Sequence, residues 1–248
     1  MAPETKSMTA CRNCPLRKLA VFRAFTDEEL NFMETFKSGE LAVEPGATIL
    51  LEGMNSAHVF SMLSGWAFRF KSLEDGRRQI LNFSLPGDFL GLQGSIFDKM
   101  QHSVEALTAT VLCVFPREKV WSLFQNHPGL AFDTTWLASR EEIMLDEHLL
   151  SVGQRRANER MAYLLLHLYR RAQQSGLGNK KKVDFPFTQQ HLADALGFSI
   201  VHTNKTLKRL RGTGTFKWTG TKFEVVDEDK LIDLAGNPAL PSGRRPLL

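Results

Sequence analysis

Three cysteines and one basic segment are the places where this 248-residue chain could do chemistry. Cys11 and Cys14 are separated by two residues, and Cys113 stands far downstream. An odd cysteine count in a chain of this size does not make a disulfide framework, so the thiols point to thiol or metal chemistry. The basic segment runs from residue 188 to residue 211. Its charges lie on a pattern that matches phosphate better than any reaction.

Within that segment Leu192, Ala193 and Leu196 recur at helical spacing and bury one side of a short helix. Gly197 supplies a turn. Ser199 is placed to cap a second helix, on which Leu207 and Leu210 face inward while Asn204, Lys205, Lys208, Arg209 and Arg211 face outward. Two helices joined at a glycine, the second one basic, make a helix-turn-helix and predict binding to double-stranded DNA. The balance of charge agrees. Residues 1–150 hold 14 Lys+Arg against 19 Asp+Glu, whereas residues 151–248 hold 17 against 8. The cationic surface that releases counterions on meeting a polyphosphate is therefore confined to the second half. Lys180, Lys181 and Lys182 by themselves read as a solvated loop.

The rest of the chain must position that motif. Gly39, Gly46, Gly53, Gly65, Gly76 and Gly87 punctuate short segments such as Thr48 to Leu51, His58 to Leu63, Ala67 to Lys71 and Gln79 to Phe83. Such spacing reads as an antiparallel β roll, with Asp75-Gly76 its sharpest hairpin. From Pro128 the pattern turns helical. Leu130, Leu137 and Met144, then Trp136, Ile143 and Leu150, then Ala131, Ala138, Leu145 and Val152 form three seven-spaced columns. That face is broad enough to pack on the roll and also meet a partner helix, which predicts a homodimer. A further helix from Arg155 to Gln174, a strand from Val183 to Phe187, and a hairpin from Phe216 to Val226 complete a winged domain. The expected organisation is α+β: a cysteine-bearing segment (1–20), a β-roll sensor (21–126), a dimerisation helix (127–153), a winged helix-turn-helix (154–236) and an irregular tail (237–248) made so by Pro238, Pro241, Gly243 and Pro246. No apolar run reaches membrane-spanning length and the first residues lack a secretory pattern, so the expected location is cytoplasmic.

A β roll, a long helix and a winged helix-turn-helix in this order resemble the Crp/Fnr family of bacterial transcription regulators. Pro86-Gly87-Asp88-Phe89-Leu90-Gly91 is similar to the opening of that family's ligand cassette. The resemblance implies a cyclic-nucleotide-binding-like jelly roll, a homodimer on a near-palindromic operator and contact with RNA polymerase. Where the cyclic-nucleotide branch has a ribose-binding Glu and a phosphate-binding Arg, this chain has Leu92 and His102 followed by Ser103, which argues against cyclic AMP. In the oxygen-sensing FNR branch four cysteines hold a 4Fe–4S cluster. Cys11, Cys14 and Cys113 match three of those positions, and Ala20 stands at the fourth. Three thiolates leave one corner of such a cube open, so the reading favours structural or vestigial cysteines over an iron–sulfur cluster, a zinc site or a redox thiol pair.

By the same resemblance Val201, His202, Asn204 and Lys205 would face base edges, and Thr188, Gln189, Lys208 and Arg211 would hold phosphates. Two other readings compete with DNA regulation. A cupin-like metal enzyme would use the roll, but His58, His102 and His127 are scattered without a close-spaced pair. A protein-binding sensor that has lost DNA binding would not need the exposed basic helix.

Overall fold

The computed structural model describes residues 8–238 and 243–248, so residues 1–7 of the cysteine-bearing segment and Pro241 of the tail lie outside it. Two 3-10 turns, Cys11–Asn13 and Pro15–Lys18, precede helix α1 (Asp27–Phe36). Thr26 starts α1 through a reciprocal cap: its hydroxyl accepts the Glu29 N–H at 3.2 Å and the Glu29 carboxylate accepts the Thr26 N–H at 2.8 Å. Strands β1 (Gly39–Val43), β2 (Thr48–Leu50), β3 (His58–Ser64), β4 (Ala67–Ser72), β5 (Arg78–Ser84) and β6 (Phe89–Leu90) follow. Helix α2 (Leu92–Phe97), strands β7 (Ser103–Ala106) and β8 (Thr110–Pro116) and helix α3 (Val120–Asn126) complete the front half.

These strands form two antiparallel sheets, ordered β1-β8-β3-β6 and β2-β7-β4-β5. Val59 lies opposite Phe115, and Ala67 opposite Ala106. Phe60, Met62 and Leu112 from one sheet meet Leu50, Ala67 and Val104 from the other in a closed apolar layer. Alternating side chains can do this because successive residues of a strand point to opposite faces.

Helix α4 (Pro128–Gln154) has proline at its first turn, where no N–H is needed. Leu130, Leu137 and Met144 are buried, while Ile143 and Leu150, one column over, are exposed. The sequence suggests an end at Gly153, but the helix runs through it. The break falls at Arg155 and Arg156, both extended. Arg155 folds back on Glu147 at 3.0 Å, and Arg160 donates to the Arg155 carbonyl, which gives the freed backbone a partner.

The second half comprises α5 (Ala157–Gln174), β9 (Gly178–Asn179), β10 (Lys182–Asp184), α6 (Gln189–Leu196), α7 (Ile200–Arg211), β11 (Phe216–Thr219), β12 (Lys222–Val225) and α8 (Glu228–Leu234). Its sheet order is β11-β12-β10-β9. The expected strand from Val183 to Phe187 stops at Asp184, because Pro186 has no N–H to give a ladder and Phe185 and Phe187 turn toward the roll. There Phe187 meets Trp66 edge-on at 5.1 Å and Phe83 at 4.7 Å. Phe68, Ile80 and Phe83 of the roll thus share one core with Leu165 and Leu168 of α5 and Leu192 of α6. Among the described residues, no helix is long and apolar enough to cross a membrane.

One carboxylate ties these parts together. Asp88, 4 % exposed, follows Gly87, whose φ of +87° and close approach to the Phe22 ring leave no space for a side chain. Its Oδ2 accepts from Arg171 of α5 at 2.6 Å and from the Leu85 N–H at 2.8 Å. Its Oδ1 accepts from Arg245 at 2.8 Å, with Arg140 of α4 at 3.6 Å. Burial alone would raise the pKa of Asp88, but the charges of Arg171, Arg245 and Arg140 outweigh it and hold the carboxyl far below the ordinary range. Replacing Asp88 by Asn should lower the free energy of urea unfolding by about 3–5 kcal/mol, since three guanidiniums would lose their shared anion. Unfolding curves of the two proteins, followed by tryptophan fluorescence, measure this directly.

Candidate nucleic-acid interface and sensor cavities

The helix-turn-helix is set by local contacts. The Thr188 hydroxyl accepts the His191 N–H at 3.2 Å and caps α6, Gly197 closes it in the left-handed region at φ +65°, and the Ser199 hydroxyl caps α7 by accepting the His202 N–H at 3.2 Å. Thr203, Thr206, Leu207 and Leu210 are buried under α7. Val201, His202, Lys205, Lys208, Arg209 and Arg211 are exposed. Among the described residues no ion pair joins Lys205, Lys208 or Arg209 to a carboxylate, so their charge faces outward uncompensated.

Of the expected base readers, Val201 and Lys205 stand on the outer face. The His202 ring packs edge-on against Phe198 at 4.6 Å. Asn204 is half-buried and its Oδ1 is shielded, with no hydrogen-bond partner. Of the expected phosphate ligands, Thr188 and Gln189 are exposed at the α6 N-terminus, Lys208 is exposed, and the Arg211 guanidinium lies 5.9 Å over the Trp218 ring of the wing. The wing strands therefore share a cation with the recognition helix.

A cleft of about 350 Å3 opens between the roll and α4. Arg69, Asp88, Leu92, His102, Arg140 and Glu141 line it. Arg69 donates through Nε to His102 Nε2 at 3.1 Å and through its terminal nitrogen to Glu141, which joins β4 to α4 across the cleft. Burial, with Arg69 and Lys71 nearby, pushes the His102 pKa down to about 3. His102 is thus a neutral acceptor and offers no charge to an anion. Burial and the neighbouring Arg171 and Arg245 pull Arg140 down to about 10, so it remains a cation at neutral pH. Sequence reasoning missed Arg69, Arg140, Glu141, Arg171 and Arg245. Nothing in their local spacing separates a buried arginine from a surface one.

Cys11, Cys14 and Cys113 do converge. Together with Met33, Leu247 and Leu248 they line a second cavity of about 30 Å3. Cys11 Sγ donates to the Met33 carbonyl at 3.7 Å. Burial raises the thiol pKa of Cys11 and pushes that of Cys113 up to about 11, so both are protonated at neutral pH. Ala20 is exposed and supplies no donor. Among the described residues no group of three or more potential ligands is arranged to hold a metal. Three cysteines around a space for about one water do not fit a 4Fe–4S cube, which needs four thiolate corners.

A β roll with a cleft, a long helix beside it, and an outward-facing basic helix on a winged domain define a DNA-binding transcription regulator. Comparison with known proteins agrees. Residues 40–127 match the cyclic nucleotide-binding domain and residues 159–234 the Crp-like helix-turn-helix domain. The chain is 30 % identical to the nitrogen fixation regulation protein FixK of Bradyrhizobium diazoefficiens over 225 residues, covering 91 % of this chain and 93 % of that one. It is 28 % identical to the transcriptional activator protein FnrL of Cereibacter sphaeroides, covering 92 % of each. The structure of FixK2 from Bradyrhizobium japonicum superposes with a TM-score of 0.72 at 24 % identity, over 82 % of this chain and 98 % of that one. The chain belongs to the Crp/Fnr family of transcription regulators, and its relatives are transcription factors rather than enzymes.

The buried histidines give the fold a pH dependence of defined sign. His102, His148, His167 and His191 all have pKa values lowered, first of all by burial. Each binds its proton less readily in the fold than in the unfolded chain, where it takes one up near the ordinary value. Below about pH 6.5 the unfolded chain therefore binds more protons, and stability present above that pH is lost as the pH falls. His102 alone should withdraw about 1.4 kcal/mol in total between about pH 7.5 and 5.5. Urea midpoints at about pH 7.5 and 5.5 should differ. His102→Gln should narrow the difference.

Proposed function

We propose that two copies of this chain bind a near-palindromic operator, each setting α7 in the major groove, and that they contact RNA polymerase from there. The observation that carries this reading is the uncompensated basic face of α7, held rigid by a capped turn and backed by a buried apolar face. Val201, His202 and Lys205 read base edges at the exposed N-terminal half of the helix, and Asn204 joins them on turning its shielded amide outward. A valine methyl suits a thymine methyl, and lysine reaches guanine acceptors. Thr188, Gln189, Lys208 and Arg211 hold phosphates and fix the register. The protein works where its DNA is, in the cytoplasm.

The dimer reading rests on α4. Ile143, Leu149 and Leu150 are exposed, and they lie beside the buried column that packs on the roll. Exposed apolar side chains at these spacings suit a partner helix, and a two-fold pair would present two recognition helices to successive grooves.

The roll receives the signal. The cleft that meets α4 is the place for a small effector, because its lining joins β4 to α4 and reaches Asp88. Cyclic AMP does not suit it: Leu92 gives a ribose no hydrogen bond, and neutral His102 gives a cyclic phosphate no charge. An oxygen or redox signal would address the three converging thiols directly rather than a cluster.

Two measurements test this. Lys205→Ala should weaken operator binding by roughly 1–3 kcal/mol more than random DNA, whereas Arg211→Ala should weaken both alike. Titrations of selected genomic fragments and of scrambled DNA decide it, and equal losses for Lys205→Ala on both remove it from the readers. Placing Glu at Leu150 should shift the protein to monomer in analytical ultracentrifugation and reduce operator affinity about tenfold or more.

A further inference from the structure

The segment after the DNA-binding domain does not trail into solvent. Residues 243–248 return to the front of the molecule, where Arg245 forms a parallel bridge with Phe22. The Arg245 N–H donates to the Val21 carbonyl at 2.7 Å and the Arg23 N–H donates to the Arg245 carbonyl at 2.8 Å. The guanidinium stacks over the Phe22 ring at 4.9 Å and donates to Asp88. Beyond it Leu247 and Leu248, 6 % and 4 % exposed, close the cavity lined by the three cysteines. Leu248 packs with Met33, Phe36 and Phe115, and Leu247 with Leu16 and Phe22.

A single short segment therefore touches two things at once. One end packs beside the three half-buried cysteines and narrows access to them. The other end holds Asp88, whose remaining partners include Arg171 of the DNA-binding domain. The cavity holds about 30 Å3, too little for even a small group added to sulfur beside the two leucines.

We propose that residues 243–248 form a strap that shields a thiol modification site, and that adding a small group to Cys11 or Cys113 expels Leu247 and Leu248 and draws Arg245 away from Asp88. The modifying agent is a small disulfide or thiosulfonate. In the exchange, the cysteine sulfur attacks the sulfenyl sulfur, its proton passes to solvent, and the old bond breaks with the electron pair leaving on the departing thiolate or sulfinate. Coupling is reciprocal: whatever releases the strap exposes the thiols, and whatever occupies the thiols releases the strap. Burial disfavours the thiolate of Cys11 and Cys113, and access of water would increase the thiolate fraction and with it the reactivity. The inference concerns communication within one chain and does not depend on which operator is bound.

The test uses methyl methanethiosulfonate on the full chain and on a variant ending at Arg244, with each cysteine followed by peptide mass spectrometry. Cys11 and Cys113 should react at least about tenfold faster in the shortened chain. A Leu247→Ala, Leu248→Ala double variant, verified as folded by circular dichroism, should show the same direction should the shortened chain lose structure. In the fully labelled full chain, hydrogen exchange at the amides of Arg23 and Arg245 should accelerate, because both are hydrogen-bonded only while the strap is seated. Labelling rates within twofold across folded variants, or unchanged protection of both amides after labelling, would overturn the strap. Neither readout involves DNA, so failure here leaves the operator-binding proposal standing, and failure of that proposal leaves this one.

Discussion

The buried carboxylate of Asp88 is the contact on which the arrangement of this molecule depends. It lies on the turn that opens the roll's cassette, and it is shared by arginines from α4, from α5 and from the terminal segment. Removing four charges from water is expensive, and the cost is met only where the ions are close and well oriented. Two of the three arginines meet that condition with hydrogen bonds of 2.6 and 2.8 Å. The third, Arg140, stands further off and also lines the cleft, so the cleft and the interdomain contact share an ion. Anything that changes the surroundings of Arg140 changes the field at Asp88, and through it the grip on α5.

The apolar contacts around this ion point the same way. Trp66, Phe83, Phe185 and Phe187 form an aromatic cluster that crosses from roll to winged domain, and Arg78 adds an ion pair to Asp194 of α6 at 2.7 Å. Such packing joins the two halves into one core, so a shift in the roll reaches α6 through close-packed side chains. Helix α7, one turn further on, keeps its polar face out of this core. The molecule thus separates the surface that must stay free for phosphate from the surface that reports on the roll.

Much of the fold was legible because its signals are local. Glycine punctuation marked the strands within a residue or two, and the column of Leu130, Leu137 and Met144 marked the buried side of α4. The errors were also local in origin. Gly153 looked like a helix end but is tolerated inside α4, because Arg155 and Arg160 provide the break two residues later. Val183 to Phe187 looked like one strand, but the aromatic side chains at 185 and 187 gain more by packing on Trp66 than by extending a ladder that Pro186 would interrupt. Helix α1 carries a local signal too, Thr26 followed three residues later by Glu29, which stands ahead of the glycine-punctuated strands.

By itself the sequence determined the helix-turn-helix: caps, a left-handed glycine and the spacing of apolar residues act within one or two turns and need no distant partner. Set against the four-cysteine pattern that the resemblance supplies, it also placed Ala20, which has no donor side chain, at the remaining position. Tertiary structure alone decided that Asp88 would be shared by Arg171 and Arg245, 83 and 157 positions away, and that Leu247 and Leu248 would line one cavity with the cysteines. The reason is physical. A buried ion pair or a filled cavity is specified by the chain's path through space, and residue spacing carries no record of which remote side chains that path brings together.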